Sequence, residues 1–579
     1  MLKIENLSYS FPEKELYKNI SFTLEDGDHC AFIGTSGTGK STLVNIIMDP
    51  ERYMFDGKLE LDSHCRIGYV SQFSQIDDEK DLTVFEYLAK DFIKLQDEIT
   101  AICEEMGTTS DLEPLMDKYQ IALDAFNAID GDNFESNITK KLNLANLSKH
   151  KDLPISNLSG GEFKLLQVIK EMLTAPELMI MDEPDVFLDF AHLNSLMNLI
   201  NSHKGILLVI THNRYLLNHC FNKIIHLENT ELQEFNGRYI DYNFTLLQTK
   251  MELQELALKD EEEIERNKKI VEKLRNDATH YTCASRGRAL NARVSLLERL
   301  EARRIKQPFV EIKQPEITLS TDLVLEDETI LSVTDYSVAF EDSLLEHVSF
   351  ELGATDKVAI IGPNGTGKTT LLREIYKNHN PAIKLNENAK TAFVSQLQGE
   401  MLNESNTIQD EFIEAGFATY DEIKEHLSRY GFAEELLTQK IGCLSGGEKN
   451  LLQLAKIAVS NANLLLLDEP TSHLDTYSQL ALEKAISEYN GAVLMVSHDF
   501  YTIVNCADYV LMLEDKSIRK MSMRKFRQMI YANHFDKDYL ITEQEKKDVE
   551  TRIALALKSK DFELAKQLSE KLEELNKLL

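Results

Sequence analysis

The feature that most constrains this chain is that it contains itself twice. GTSGTGKS at 34–41 returns as GPNGTGKT at 362–369, YVSQ at 69–72 as FVSQ at 393–396, and LSGGE at 158–162 as LSGGE at 444–448. MDEP at 181–184 returns as LDEP at 467–470, and ITHN at 210–213 as VSHD at 496–499. Ser159 and Ser445, Asp182 and Asp468, and His212 and His498 are each 286 residues apart, whereas Lys40 and Lys368 are 328 apart and Gln72 and Gln396 324. The first copy therefore carries 38 extra residues between Gln72 and its LSGGE. Five ordered motifs arriving twice set the architecture before any local reading begins.

Around the motifs the apolar runs are short and uniform. HCAFIG and KVAIIG feed Gly-rich turns and then the helical patterns KSTLVNIIM and KTTLLREIY, while ELMIMDEP, LLLLDEP, GILLVITH and GAVLMVSH read as strands buried on both faces. Strands alternating with helices predict an α/β core in each half. The predicted organisation is a first domain at 1–242, with the surplus as a polar, helical insertion within about 80–140, and a second domain at 328–535. Between them, 243–327 reads as two long helices joined at a tip, a charged αα-hairpin. Residues 536–579 read as a helical tail with Leu564, Leu568, Leu572, Leu575 and Leu579 at three- and four-residue steps.

The motif G-x-x-x-x-G-K-[ST] between a strand and a helix is a phosphate cradle: glycines turn backbone N–H groups toward the phosphates, and the helix N-terminus favours negative charge. The two cradles comprise Gly34, Thr35, Ser36, Gly37, Thr38, Gly39, Lys40, Ser41 and Thr42, and Gly362, Pro363, Asn364, Gly365, Thr366, Gly367, Lys368, Thr369 and Thr370. Lys40 and Lys368 have the reach for the β- and γ-phosphates of ATP, and the hydroxyls of Ser41 and Thr369 are placed to ligate Mg²⁺. At the ends of two apolar strands, Asp182 and Asp468 are candidates for the Mg²⁺ shell, completed by Gln72 and Gln396. Glu183 and Glu469 follow one residue on, where a carboxylate polarises the water that attacks the γ-phosphate. His212 and His498 come 29 residues after those glutamates in both halves and are candidate γ-phosphate contacts.

Here the motifs resemble a family. LSGGE lying 23 residues before the Asp of each Asp-Glu pair is similar to the signature of ABC-type ATPases, over about 450 residues. The resemblance implies two domains sandwiching two ATP molecules head to tail, so that Lys40 shares one ATP with Ser445, Gly446 and Gly447, and Lys368 shares the other with Ser159, Gly160 and Gly161. It also implies that Phe11 and Phe340, 23 and 22 residues before each cradle, stack on adenine. Two fused domains with a charged helical connector look like the ABC-F subfamily, in its antibiotic-resistance, ribosome-protecting form. That resemblance implies a bacterial ribosome as partner, entry into the tRNA exit site in the ATP-bound closed state, contact with P-site tRNA, and a connector that displaces drugs near the peptidyl-transferase centre. The 38-residue surplus falls where the subfamily carries its arm.

Charge bears on the same question. The 579 residues hold 63 Lys and Arg against 96 Asp and Glu, a formal charge of −33, which excludes a uniformly basic coat for nucleic acid. Yet residues 266–306 carry twelve Lys/Arg and four acids. Arg286, Arg288 and Arg293 with Tyr281, near the expected tip, are candidate RNA contacts. Seven scattered cysteines without a C-x-x-C pair argue against a disulfide framework or zinc site, and the absence of a signal-like start or a long apolar run predicts a cytoplasmic protein with no membrane partner. No stable homo-oligomer is required, because the two halves complete both sites in one chain.

Two departures from the pattern predict unequal sites: PTSHLD follows Glu469 where PDVFLD follows Glu183, and Asp499 follows the second histidine where Asn213 follows the first. Other readings stay open. A housekeeping ABC-F translation factor differs only in softer criteria. The ATPase subunit of a transporter gives the basic connector no task, and a DNA-acting ABC ATPase with a C-terminal coiled coil is suggested by the tail, which has no basic surplus.

Overall fold

A computed structural model of the chain describes residues 1–11, 14–62, 65–72, 81–108, 112–186, 188–280, 315–323, 325, 328–339, 343–534 and 537–578. Each half is built on a six-stranded sheet with the same strand order. In the first half the order is Ile67–Val70, Leu178–Asp182, Ile206–Ile210, His29–Ile33, Lys223–Glu228, Glu231–Asn236. In the second it is Thr391–Val394, Leu464–Asp468, Ala492–Val496, Lys357–Ile361, Tyr509–Glu514, Ser517–Ser522. Five strands are parallel and the last is antiparallel in each. The central strands are buried along their whole length, which is why their sequences run apolar without alternation.

Against each sheet packs a small antiparallel sheet: Lys14–Leu24, Leu2–Phe11 and Asp56–Leu61 in the first half, and Ser343–Gly353, Thr329–Ala339 and Ile383–Leu385 in the second. Leu2, Ile4, Tyr17, Leu24, Leu43, Ile46, Ile180 and Leu208 fuse the first pair of layers into one core, and Leu331, Tyr336, Leu352, Leu371, Ile375, Leu466 and Leu494 the second. Each such side chain contributes roughly 1.5–3 kcal/mol by leaving water. The layering matters for function because it turns the C-terminal ends of the parallel strands toward one edge, where the cradles begin.

The surplus of the first half is helical. Val84–Thr108, Glu113–Ala128 and Phe134–Leu144 occupy the interval in which the α-helices of the second half are the shorter Ile408–Glu414 and Tyr420–Arg429. The chain divides into two compact units: Met1–Arg238 with Lys313–Gln528, which holds both nucleotide halves, and Tyr239–Ile312 with Met529–Leu579. In the second unit the helix Tyr239–His280 covers the first part of the segment read as a hairpin; residues 281–314, including the expected tip with Tyr281, Arg286, Arg288 and Arg293, lie outside the described residues. The tail forms two helices, Lys537–Lys558 and Phe562–Leu578, and Val549, Ile553, Leu568, Leu572 and Leu575 bury against each other and Met251 of the long helix. Lys566 Nζ meets Glu255 at 2.7 Å across that packing. The leucine spacing of the tail is thereby used inside this chain. No helix among the described residues is long and apolar enough to cross a membrane.

Candidate functional site

Both cradles have the same local build. Gly39 and Gly367, at φ +98° and +91°, turn the chain into the helices Lys40–Met48 and Lys368–Lys377 in a conformation that favours glycine. Lys40 Nζ donates to the carbonyls of Gly34 and Thr35, both at 2.9 Å, and Lys368 Nζ to that of Gly362 at 2.8 Å and of Pro363 at 2.6 Å. Both lysines are buried, and burial lowers their affinity for a proton while the nearby carboxylates Glu183 and Glu469 oppose the shift. Thr38 and Thr366 hydroxyls donate back to Thr35 and Pro363 carbonyls at 2.9 Å, closing each loop. The loops are therefore set before any phosphate arrives.

The acidic strand ends face these loops. Thr369 Oγ1 donates to Asp468 Oδ1 at 3.1 Å, and Ser41 hydrogen-bonds Asp182. Asp468 is 1% exposed, and its Oδ2 has no hydrogen-bond partner among the described residues. Glu469 Oε1 is buried in the same condition. Unmatched acceptor oxygens beside a threonine hydroxyl are the donor set a hard cation takes, so the residues fit Mg²⁺. Among the described residues no three His, Cys, Asp or Glu side chains converge as a metal-binding cluster.

The two halves meet head to tail. Ser36 N–H donates to Asp475 Oδ2 at 3.3 Å, and a Cβ on Gly447 would stand 2.7 Å from Ser36 Oγ. Across the other side, Asn364 N–H donates to Asp189 Oδ2 at 3.3 Å. A cavity of about 550 Å³ is lined there by Gly160 and Gly161 together with Gly365, Lys368, Thr369 and Glu469. Ser159 and Ser445 cap the helices Gly160–Leu173 and Gly446–Ala458, each in a reciprocal box with the glutamate three residues on, and so aim both helix N-termini at the opposite cradle. Neither site is complete within one half.

The carboxylates next to the cation positions are treated differently. Burial pushes Glu183 up, but His473 of the second half, His212 and Lys40 overcome it and hold the group down at about 2. Glu469 is pushed up to about 8 by burial and by the neighbouring Asp468 charge, with the His498 N–H and Lys368 pulling the other way. Burial pushes Asp468 up to about 6, against the pull of the Thr369 hydroxyl, and also raises Asp182. His212 falls to about 4, through burial first and the charge of Lys40 next, and burial together with Lys368 depresses His498 to about 3, so both rings are neutral at pH 7.

The candidates come together with few exceptions. Gln72 Nε2 donates to Glu183 Oε2 at 2.6 Å, and Gln396 lines the cavity of the second site. Phe11 ends its strand 47% exposed, its ring near-perpendicular to that of Tyr9 at 5.4 Å. Phe340 lies outside the described residues. Motif reading passed over His473, Asp189 and Asp475, which cross between halves, and Glu228, which accepts from Thr35 Oγ1 at 2.9 Å and Thr35 N–H at 3.2 Å. Aligning the halves at the 286-residue offset would have marked His473, because its counterpart is Phe187.

A family profile described as ABC transporter matches residues 17–186 and 345–472. The uncharacterized ABC transporter ATP-binding protein YfmM of Bacillus subtilis (strain 168) is 29% identical over 519 residues, 86% of this chain and 96% of that protein. ABC transporter F family member 5 of Arabidopsis thaliana is 30% identical over 536 residues, 89% of this chain and 75% of its own length. The energy-dependent translational throttle protein EttA of Escherichia coli (strain K12) is 29% identical over 523 residues, 87% and 90% of the two chains. Among solved structures, RNase-L Inhibitor superposes with a TM-score of 0.55 at 19% identity, covering 91% of this chain and 93% of that one. It shares the tandem layout.

Proposed function

The chain belongs to the ABC transporter family of ATP-binding proteins and is an ATPase, and from that premise we propose that it acts on the bacterial ribosome. In this reading the nucleotide domains, 1–242 and 328–535, close around two ATP molecules, and hydrolysis reopens them. The observation that carries it is the pair of composite cradles, each finished by the other half, in a chain related over most of its length to EttA, a protein named for throttling translation.

Lys40 and Lys368 exchange their loop carbonyls for β- and γ-phosphate oxygens. Ser41, Asp182 and Gln72 would hold one Mg²⁺, and Thr369, Asp468 and Gln396 the other, and a cation there would supply positive charge against the phosphate oxygens. Glu183 and Glu469 orient the attacking water, His212 and His498 contact the γ-phosphate, and the capped N-termini at Ser159 and Ser445 close on it from the opposite half. Phe11 and Phe340 stack on adenine.

The partner is reached by the connector. Its basic surplus, with Tyr281, Arg286, Arg288 and Arg293, meets ribosomal RNA near the peptidyl-transferase centre and P-site tRNA from the tRNA exit site, in the cytoplasm. In the finer form of the reading the connector displaces drugs bound there, which its length and charge favour. Sedimentation with ribosomes tests the central claim: the Glu183→Gln/Glu469→Gln chain with ATP pellets with ribosomes at low salt and is released as salt rises. Recovery with membranes or DNA and none with ribosomes overturns it. A susceptibility panel of peptidyl-transferase drugs in cells expressing the chain then tests the finer form, and unchanged susceptibility leaves a translation factor of the housekeeping kind.

A further inference from the structure

His473 stands in the segment after Glu469 and has no part in the roles assigned above. Its backbone is at φ +61°, a region that strains a non-glycine residue and persists where the surroundings impose it. The surroundings do so. Asn450 Nδ2, from the helix behind Ser445, donates to the carbonyls of Pro470 and Ser472, both at 2.9 Å. The ring lies against Gly446, where a Cβ would come within 3.1 Å of His473 Cγ. Held in this way, the side chain leaves its own half. Its Nδ1 lies 3.1 Å from Glu183 Oε2 and 3.3 Å from Gln72 Nε2, both in the first half.

The second site is built otherwise. The residue 286 positions before His473 is Phe187, whose side chain has no hydrogen-bonding atom. Glu469 is met from within its own half: His498 N–H donates to Oε2 at 3.2 Å, and His498 Nε2 lies 3.5 Å from Oε1. One carboxylate is oriented across the interface, the other along its own chain segment.

We infer that His473 is a positioning residue supplied by the second half to Glu183, so that the carboxylate of the first ATP site is oriented from across the interface while Glu469 of the second is oriented from within its own half. The inference rests on the ATPase reading above. With Nδ1 protonated, the ring donates to Oε2 and leaves Oε1 to face the water. When the halves part, the donor withdraws with its segment, and Gln72 of the first half is left as the side-chain donor to Glu183 among the described residues. A carboxylate swung by about 1 Å from its productive position costs up to about 100-fold in rate.

The test isolates each site. Glu469→Gln silences the second site and Glu183→Gln the first; into each goes His473→Phe, which copies Phe187, and His473→Asn, which keeps a donor near the place of Nδ1. In the Glu469→Gln chain, His473→Phe lowers kcat by about 10- to 100-fold with KM for ATP and equilibrium binding of a fluorescent ATP analogue unchanged. His473→Asn returns kcat to within a few-fold of the parent, and in the Glu183→Gln chain neither substitution changes kcat. Unchanged kcat in the Glu469→Gln chain, an equal fall in both backgrounds, or a loss of analogue binding with kcat overturns the inference. A Glu469→Gln parent that binds the analogue but turns over no ATP overturns it too, because no first-site turnover is left for His473 to serve. A parent and wild-type chain that neither bind nor hydrolyse nucleotide would instead sink the ATPase reading.

Discussion

On one side of the interface between the nucleotide halves, Arg214 crosses from the first half to the second, where its guanidinium pairs with Glu483 and, at 2.9 Å, with Asp499. On the other side the position of Arg214 is taken by Phe500, whose ring meets Phe190 of the first half edge-on at 6.0 Å. Met197 and Asn213 stand where the second half has Glu483 and Asp499. The strand orders of the two halves are identical, and the residues that join them are not. Arg214 is 10% exposed along its side chain, and Tyr501 lies under it at 4.9 Å. Burial works against its charge, but Asp499 and Glu483 outweigh that and raise its proton affinity, so the guanidinium stays charged. A buried ion pair accepts one geometry and penalises every other, whereas two aromatic rings tolerate sliding. Once a duplicated fold is fused in one chain, nothing obliges its two seams to stay equivalent.

The largest effect that would break this comparison is at the charged seam. Arg214→Ala leaves Glu483 and Asp499 buried without their cation and lowers unfolding free energy by about 3–5 kcal/mol in urea. Transplanting the other seam, Arg214→Phe/Glu483→Met/Asp499→Asn, removes all three charges together and recovers most of that loss. If Arg214→Ala costs less than about 1 kcal/mol, the pair behaves like a surface ion pair and the contrast between seams is empty.

Next comes the contrast between active carboxylates. Under the proposed mechanism, replacing either glutamate by glutamine removes the group that orients the attacking water and slows that site by about 100-fold or more. Glu183 is held ionised by protein groups, while Glu469 is pushed up by burial and Asp468. Steady-state phosphate release therefore falls further with Glu183→Gln than with Glu469→Gln. Indistinguishable rates would remove the asymmetry that PDVFLD and Asn213 suggest.

How much of this was legible beforehand follows from distance along the chain. The cradles, the strand-end acids and the capped LSGGE helices are each written within a few consecutive residues, and their spacing named both the fold and the nucleotide. The seams are not local. His473 and Glu183 are 290 residues apart and Arg214 and Asp499 are 285 apart, so their meeting depends on how two finished domains dock. A residue-by-residue comparison of the repeats carries the missing signal: Phe187 against His473, Met197 against Glu483, Arg214 against Phe500. The tail shows the same limit. Its leucines mark a helix with an apolar face, but nothing in them says that Met251, some 300 residues earlier, lies under it.

A smaller contrast is in acid stability. In the first half burial lowers His203 and His219 to about 4; the second half has Tyr489 and Asn505 at those positions. A histidine held below its ordinary value of 6.5 favours the folded state above pH 6.5 and loses that contribution as pH falls toward 4. The melting temperature of the chain therefore drops between pH 6.5 and 4.5, and His203→Tyr/His219→Asn, copying the second half, makes the drop shallower by a few degrees. An unchanged profile would mean that His212, His498 and the carboxylates dominate the acid limb.

The finest contrast is in the cradles themselves. In the first, Thr35 donates both its hydroxyl and its N–H to the buried carboxylate of Glu228, which ties the loop to the end of the strand Lys223–Glu228. In the second, Pro363 takes that position, has no N–H to give, and sets its own φ, while the counterpart carboxylate, Glu514, is exposed. Thr35→Val keeps the β-branched shape and removes only the hydroxyl, so it costs about 1 kcal/mol in urea; Glu228→Gln, which leaves one acceptor for two donors, costs about the same. Because both substitutions cut the same contact, the double variant loses little more than either single one, and the cycle gives a coupling of about 0.5–1 kcal/mol. Additive losses would show that the loop is held by its own turns and that the carboxylate is incidental to it. In that case the two cradles would be equivalent after all, and the difference between the halves would reside in the seams alone.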